Sequence, residues 1–223
     1  MTRFSHEAFD WFKGLEADNS KAYFDAHRDV FESQIKQPLT DLLDGVAIAK
    51  DGRVKLFRQN RDIRFSKDKS PYKTNTYGVV RPNAGQSGFY VSVSKDGLYA
   101  GGGYYEMAKD QLERFREAVA DEDSGRAAQA IFDDLESDGF DIWAEDLKSA
   151  PRGYPKDHPR ISLLRRKRWV AGKQFSPDAV MAGEDMLGEA LKMHEKLGAL
   201  SGWLDEHVGP SEIPPEAGFG NRR

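Results

Sequence analysis

The span Arg58-Gln-Asn-Arg61-Asp62-Ile-Arg64-Phe65-Ser-Lys67-Asp68-Lys69-Ser-Pro71-Tyr72-Lys73 packs cations, turn residues and two aromatics into one short stretch. From Arg53 to Thr76, eight Lys/Arg stand against two Asp, and from Lys148 to Lys173, nine stand against one. The whole chain carries −4, so everything outside these segments is strongly acidic. Cations gathered this way are solvated, neutralised by local carboxylates, or matched by an anion. Arg offers a planar fork that grips a phosphate or carboxylate through two hydrogen bonds, and Lys adds a point charge. Arg61, Arg64, Lys67, Lys69 and Lys73 are therefore the first ligand-binding candidates, on a strand and a loop stiffened by Pro71. Asp62 shares a strand face with Arg64 and is placed to orient it. The loop Pro151-Arg152-Gly153-Tyr154-Pro155-Lys156-Asp157-His158-Pro159 is the second, setting the cation of Arg152 beside the Tyr154 ring in a proline-fixed frame. Histidine is the residue type suited to proton transfer at physiological pH, and His158 stands beside Asp157, so Asp62 and His158 are the acid–base candidates. A lone His in a proline-fixed loop is more often structural, capping a neighbouring backbone group, than catalytic.

Other chemistries find less support. Arg165-Arg166-Lys167-Arg168-Trp169 has the composition of a nucleic-acid patch. Its cations would point in different directions on any regular element, however, and Trp169 reads as buried. The acidic balance, with a pI near 5.8, also argues against a nucleic-acid partner. There is no cysteine, which excludes disulfides and thiolate chemistry. The five histidines are scattered without ligand spacing, so neither metal nor cofactor is expected. Gly101-Gly102-Gly103 lacks the Lys and Ser/Thr of a phosphate loop and falls within strand periodicity. Glycines there permit close approach of another backbone, with Tyr90, Ser92 and Tyr99 as a pocket wall. No apolar run is long enough to span a membrane and the N-terminus lacks a signal-peptide core, so the expected location is cytoplasmic, with no membrane partner.

The elements that must position these groups follow from periodicity. Residues 5 to about 49 are helical in pattern, with Ser5 as an N-cap, a break at Asp18-Asn19-Ser20 and a kink or restart at Pro38. From Val54 to Tyr104 the period becomes two. Arg61, Ile63 and Phe65 would share one strand face. Phe89–Lys95 and Leu98–Tyr104 flank Asp96-Gly97, the signature of a hairpin with a type I′ turn and with Val91 and Val93 on the buried face. Helical spacing returns at Lys109–Ala120 and Gly125–Ser137. A loop follows, then a helical turn leading into a strand across Ile161–Val170. Helices start again at Ser176 and run as one long pattern from Glu184 to Val208. The expected architecture is α+β: a single domain over residues 1–210, a mostly antiparallel sheet with helices around it, and a disordered tail over 211–223.

Several of these segments together resemble one family. Asp18-Asn19-Ser20-Lys21-Ala22-Tyr23-Phe24 is similar to its Asn-rich opening followed by an aromatic pair. Arg61 through Lys73 resembles its main signature. Gly101-Gly102-Gly103-Tyr104-Tyr105 and Pro151-Arg152-Gly153-Tyr154 through His158-Pro159 resemble its later blocks. The family is the bacterial, fungal and plant group called domain of unknown function 2461, and the resemblance covers roughly residues 4 to 208. One departure falls at Tyr105-Glu106, where the family pattern has a proline. The resemblance implies one compact domain and brings no activity with it. The residues themselves lead to a cytosolic protein whose two cationic loops converge on a pocket for a small phosphorylated or carboxylated ligand. Catalysis on that ligand is left open, as is the oligomeric state. The alternatives are a nucleic-acid-binding module and a structural or partner-binding domain whose charges pair internally.

Overall fold

The computed structural model describes residues 3–83, 86–143, 146–183 and 185–214. Its first element, α1 (His6–Ala17), buries Phe9, Phe12 and Leu15 at helical spacing. Ser5 occupies the N-cap position, but its side chain makes no capping bond, so only part of that expectation holds. Ser20 does cap α2 (Lys21–Ala26), its hydroxyl accepting from the Tyr23 N–H at 3.1 Å. A short α3 (Arg28–Val30) then widens into a π-helical segment (Phe31–Lys36), which runs on into α4 (Gln37–Ala49). Pro38, in the first turn of α4, explains the widening. Its ring cannot donate and crowds the carbonyl four residues back, and the wider turn relieves both problems without breaking the helix.

The strands are β1 (Gly52–Leu56), β2 (Asn75–Pro82), β3 (Gly88–Ser94) and β4 (Gly97–Tyr104). After α5 (Lys109–Ala120) and α6 (Glu122–Ser137) comes a three-residue β5 (Asp141–Trp143). Next are α7 (Ile161–Leu164), β6 (Trp169–Phe175), α8 (Pro177–Ala182), α9 (Met186–Lys196) and α10 (Gly198–His207). The long C-terminal helical pattern thus breaks at Leu197. The sheet order is β1-β2-β3-β4-β6-β5, and the architecture is α+β with an antiparallel sheet and helices packed around it.

The expected hairpin is present, with Val91 and Val93 fully buried. Its turn differs from expectation. Gly97 has φ +105°, but neither Lys95 nor Asp96 has a positive φ, so a type I′ turn is not formed. A single glycine of positive φ after a two-residue turn fits a type I turn closed by a glycine bulge. At Gly103 a Cβ would lie 2.2 Å from the Trp169 carbonyl oxygen, so this glycine does admit a neighbouring backbone.

The chain forms two compact units. The first comprises Met1–Asn83, Gly88–Gly102 and Gly172–Glu195. In it, β2 pairs antiparallel with β1 (Leu56 opposite Gly78) and with β3 (Val79 opposite Tyr90). This register puts Thr76, Val80, Phe89, Val91 and Val93 on a buried face, in a core with Ile35, Leu39 and Leu43. The opposite face carries Lys55, Tyr77, Val79 and Tyr90. The second unit comprises Ala84–Ser87, Gly103–Ala171 and Lys196–Arg223. Its core centres on Phe115, Trp169 and Trp203, with the two indoles 5.5 Å apart and edge to face. Of the expected C-terminal tail, residues 215–223 lie outside the described residues.

Candidate functional site

The basic segment does not extend as a strand. Between Arg61 and Ser70 the chain is irregular, and only the bridge between Asn60 and Tyr72 ties its ends. Two aspartates divert it. Asp62 Oδ1 accepts from the Arg64 N–H at 3.3 Å, and Asp68 Oδ1 from the Ser70 N–H at 2.9 Å. Such bonds to the backbone two residues on offer the chain a turn in place of a ladder. Main-chain bonds from Arg61 N to the Pro71 carbonyl and from Lys73 N to the Gln59 carbonyl close the loop. Asn19 anchors it from the α1–α2 junction, donating to the Tyr72 carbonyl at 3.1 Å and accepting from the Tyr72 N–H at 3.0 Å. Buried Tyr72 stacks on Phe24 with centroids 4.4 Å apart.

The same turns settle the cations of the loop tip. Arg64 grips Asp62 with two nitrogens, and Arg61 pairs with Asp68. The Arg64 guanidinium holds the Asp62 carboxyl down at about 2. Asp62 is thus fitted to orienting Arg64, as expected, although on a loop. Asp68 is pulled well below the usual carboxylate range, chiefly by Ser70 and then by Arg61. Lys69 donates to the Ile63 carbonyl at 2.9 Å, and Lys67 is exposed. Phe65 stands 91% exposed at the tip.

The base of the loop is different. Lys73 is half-buried. Its Nζ donates to the Arg58 carbonyl at 2.6 Å and sits 4.6 Å from the Tyr77 ring centroid and 5.9 Å from that of Phe57. Neither Lys73 nor Arg58 forms an ion pair among the described residues. Burial first, and then the neighbouring Arg58 charge, pull the Lys73 ammonium below the ordinary lysine range. Arg58 acts weakly on Asp62, which Arg64 already engages. The rings beneath form a row across the open sheet face. Phe57 stacks on Tyr77 at 4.7 Å, Tyr77 lies 5.4 Å from Tyr90, and Tyr90 lies 6.2 Å from Tyr99. Lys55 sits 5.0 Å over Phe57. Gln59, buried, locks this end by donating to the Lys73 carbonyl and accepting from the Thr76 hydroxyl at 2.7 Å.

Arg58, Phe57 and Tyr77 were not among the sequence candidates. Arg58 and Lys73 lie fifteen positions apart and meet only through the Asn60–Tyr72 bridge. The visible signal was the alternation of Lys55, Phe57 and Tyr77 with apolar positions of the opposite face.

The second cationic loop belongs to the second unit. Arg152 is exposed, and burial raises the half-buried Tyr154 hydroxyl above its ordinary range. His158 Nδ1 accepts from the Arg160 N–H at 3.0 Å, the backbone-capping task weighed against catalysis. Sequence reasoning missed Arg160, which is buried and donates to the carbonyls of Val119, Ala120 and Asp121 at the end of α5. The Arg165–Trp169 run is dispersed: Trp169 and Arg166 are buried, and the Arg168 guanidinium lies 4.6 Å over Tyr105. An open cleft of about 520 Å³ here is lined by Tyr105, Met107, Gln111, Leu112, Lys167 and Arg168. Both of its cations have partners already, so the stronger anion candidate is the Arg58–Lys73 pair. Among the described residues no group of three His, Asp or Glu could hold a metal, and no helix is long and apolar enough to cross a membrane.

No curated protein matches the chain. The sequence profile of the conserved hypothetical protein family DUF2461 matches residues 7–203, spanning the basic loop, the aromatic row and the proline-rich loop alike. The chain belongs to the DUF2461 family.

Proposed function

We propose that the chain binds a small phosphorylated or carboxylated ligand at Arg58 and Lys73, with Phe57, Tyr77 and Tyr90 as the floor of the site. One observation carries this reading: among the described residues, two neighbouring cations, one of them half-buried, form no ion pair, while Arg61 and Arg64 a few residues away each form one. Like charges held together raise the energy of the unliganded protein, and an anion between them relieves it. Arg58 supplies the fork and Lys73 the point charge. The Asn19–Tyr72 anchor and the Gln59 lock hold the base of the loop in place, so little ordering is needed on binding.

Single-stranded nucleic acid fits less well. Tyr77 has Phe57 stacked against it and Lys73 over it, which leaves little ring face for a base. The ion pairs at the loop tip favour a second reading, a structural domain with internally matched charges. Under the ligand-binding reading the protein works in the cytosol, the compartment expected from the sequence.

A thermal-shift and calorimetric screen of inorganic phosphate, phosphate monoesters and small carboxylates separates the two readings. A ligand at one hundred times its Kd stabilises the folded chain by about 2.7 kcal/mol, which for this length raises Tm by about 5–10 °C. Arg58→Gln abolishes that rise and leaves the unliganded Tm within about 1 °C, because an exposed cation contributes little to folding. No response to any of these anions at millimolar concentration leaves the structural reading in its place.

A further inference from the structure

We propose that Lys73 is a reactive amine that condenses with a small carbonyl compound to form an imine. The inference deepens the anion-site reading. Arg58 would hold a carboxylate or phosphate on the ligand while Lys73 takes its carbonyl carbon, which suits a short 2-oxo acid or a phosphorylated aldehyde.

Two conditions turn a lysine ammonium into a nucleophile: partial desolvation, and a neighbouring cation that disfavours the charged form. Lys73 meets both. Its Nζ is half-buried beside the Tyr77 ring, 4.6 Å from the centroid, and has the Arg58 guanidinium for a neighbour; the ring face and the Arg58 carbonyl favour the ammonium, but less than a carboxylate would. Burial and Arg58 move its titration downward in that order. Other lysines are arranged the opposite way. Lys13, Lys36, Lys95, Lys192 and Lys196 each hold a carboxylate within 2.8 Å, which fixes the ammonium form. Lys73 is also reachable, being half-exposed at the open sheet face.

The step balances without a redox partner. The neutral amine attacks the carbonyl carbon, a C–N bond forms, and the C=O π pair moves to oxygen, which takes a proton. The carbinolamine then loses that oxygen as water, the nitrogen having given up both of its hydrogens, and a C=N bond remains. Protonation of the imine gives an iminium, which keeps a positive charge facing the ligand's anionic group. Solvent reaches Lys73 and carries the protons.

The test is reductive trapping on the full chain. The protein is incubated near neutral pH with pyruvate and cyanoborohydride, digested, and mapped by mass spectrometry across its sixteen lysines. The expected result is a reduced adduct concentrated at Lys73, with occupancy above that of every exposed lysine, since burial and the Arg58 charge enlarge its share of free amine. Arg58→Met should lower labelling at Lys73 and nowhere else, since loss of the neighbouring cation restores the ammonium. Acetaldehyde serves as an uncharged probe. If it selects Lys73 as strongly as pyruvate does, the reactive amine stands and the anion reading falls. Adducts spread over the lysines in proportion to exposure, or labelling at Lys73 indifferent to Arg58→Met, would overturn the proposal.

Discussion

Asn19→Ala should weaken the whole basic loop, although Asn19 lies 39 positions or more before Arg58 and carries no charge. Its side-chain amide behaves as a borrowed strand residue. The oxygen takes the Tyr72 N–H at 3.0 Å and the nitrogen gives to the Tyr72 carbonyl at 3.1 Å. Alanine strands both main-chain groups of a buried residue. Each unpaired group costs about 1–3 kcal/mol, and the lower half of that range applies because Asn19 is only partly buried and water can enter. The sum is about 2–4 kcal/mol. For a chain of this length it lowers Tm by about 4–16 °C. Urea titration followed by tryptophan fluorescence measures the first quantity, and scanning calorimetry the second. Asn19→Asp is the sharper comparison. It keeps the acceptor, loses the donor and sets a carboxylate against the Tyr72 carbonyl, so it should be at least as damaging as alanine despite its shape. A loss below about 0.5 kcal/mol for alanine, the size of an ordinary surface change, would mean that the Asn19–Tyr72 pair does not hold the loop.

Three further outcomes are expected. Gly97→Ala should destabilise by about 2 kcal/mol or more in urea titration, since φ is +105° and the new Cβ would lie 2.0 Å from the Phe175 carbonyl oxygen; an unchanged midpoint would reject the hairpin turn described here. Arg160→Met should cost about 2–4 kcal/mol by stranding the carbonyls of Val119, Ala120 and Asp121, whereas a silent substitution would show that water caps α5 as well as the guanidinium does. Carbon-13 titration should place the Asp62 carboxyl midpoint at about 2. Because the folded value lies below the unfolded one, any stability from this pair is present above the ordinary carboxylate range and is lost as pH falls toward that midpoint. Arg64→Ala should return the midpoint to the ordinary range, and a midpoint already there in the unaltered protein would deny the pair.

What could be read in the sequence was whatever local pattern controls. The hairpin was legible because alternation and one glycine specify it within sixteen residues. The α1 and α5 stripes were legible because each buries its own face. The basic segment was misread as a strand because alternation of Arg61, Ile63 and Phe65 is also what an irregular loop shows when two aspartates turn it. The Arg58–Lys73 pair was out of reach, since only the Asn60–Tyr72 bridge makes those residues neighbours. Three-residue β5 is too short for any period to register.

The π-helical turn at Phe31–Lys36 has a bearing on how this chain tolerates change in length. A turn of that kind holds one residue more than an α-helical turn, so it acts as a stored insertion. Removing one residue there would let the backbone close into regular α-helix. Because the extra residue is bulged out, the helix on either side would stay nearly in phase. Phe31, which sits 5.2 Å from Trp11 and 5.1 Å from Phe24, would keep both rings, and Leu39 and Leu43 their places in the core. A deletion further along, inside α4, has no bulge to absorb it and would turn everything beyond it by about 100°, the angle one residue subtends in an α-helix. The π turn is therefore the place where this helical stretch can lose a residue and keep the aromatic cluster around Trp11.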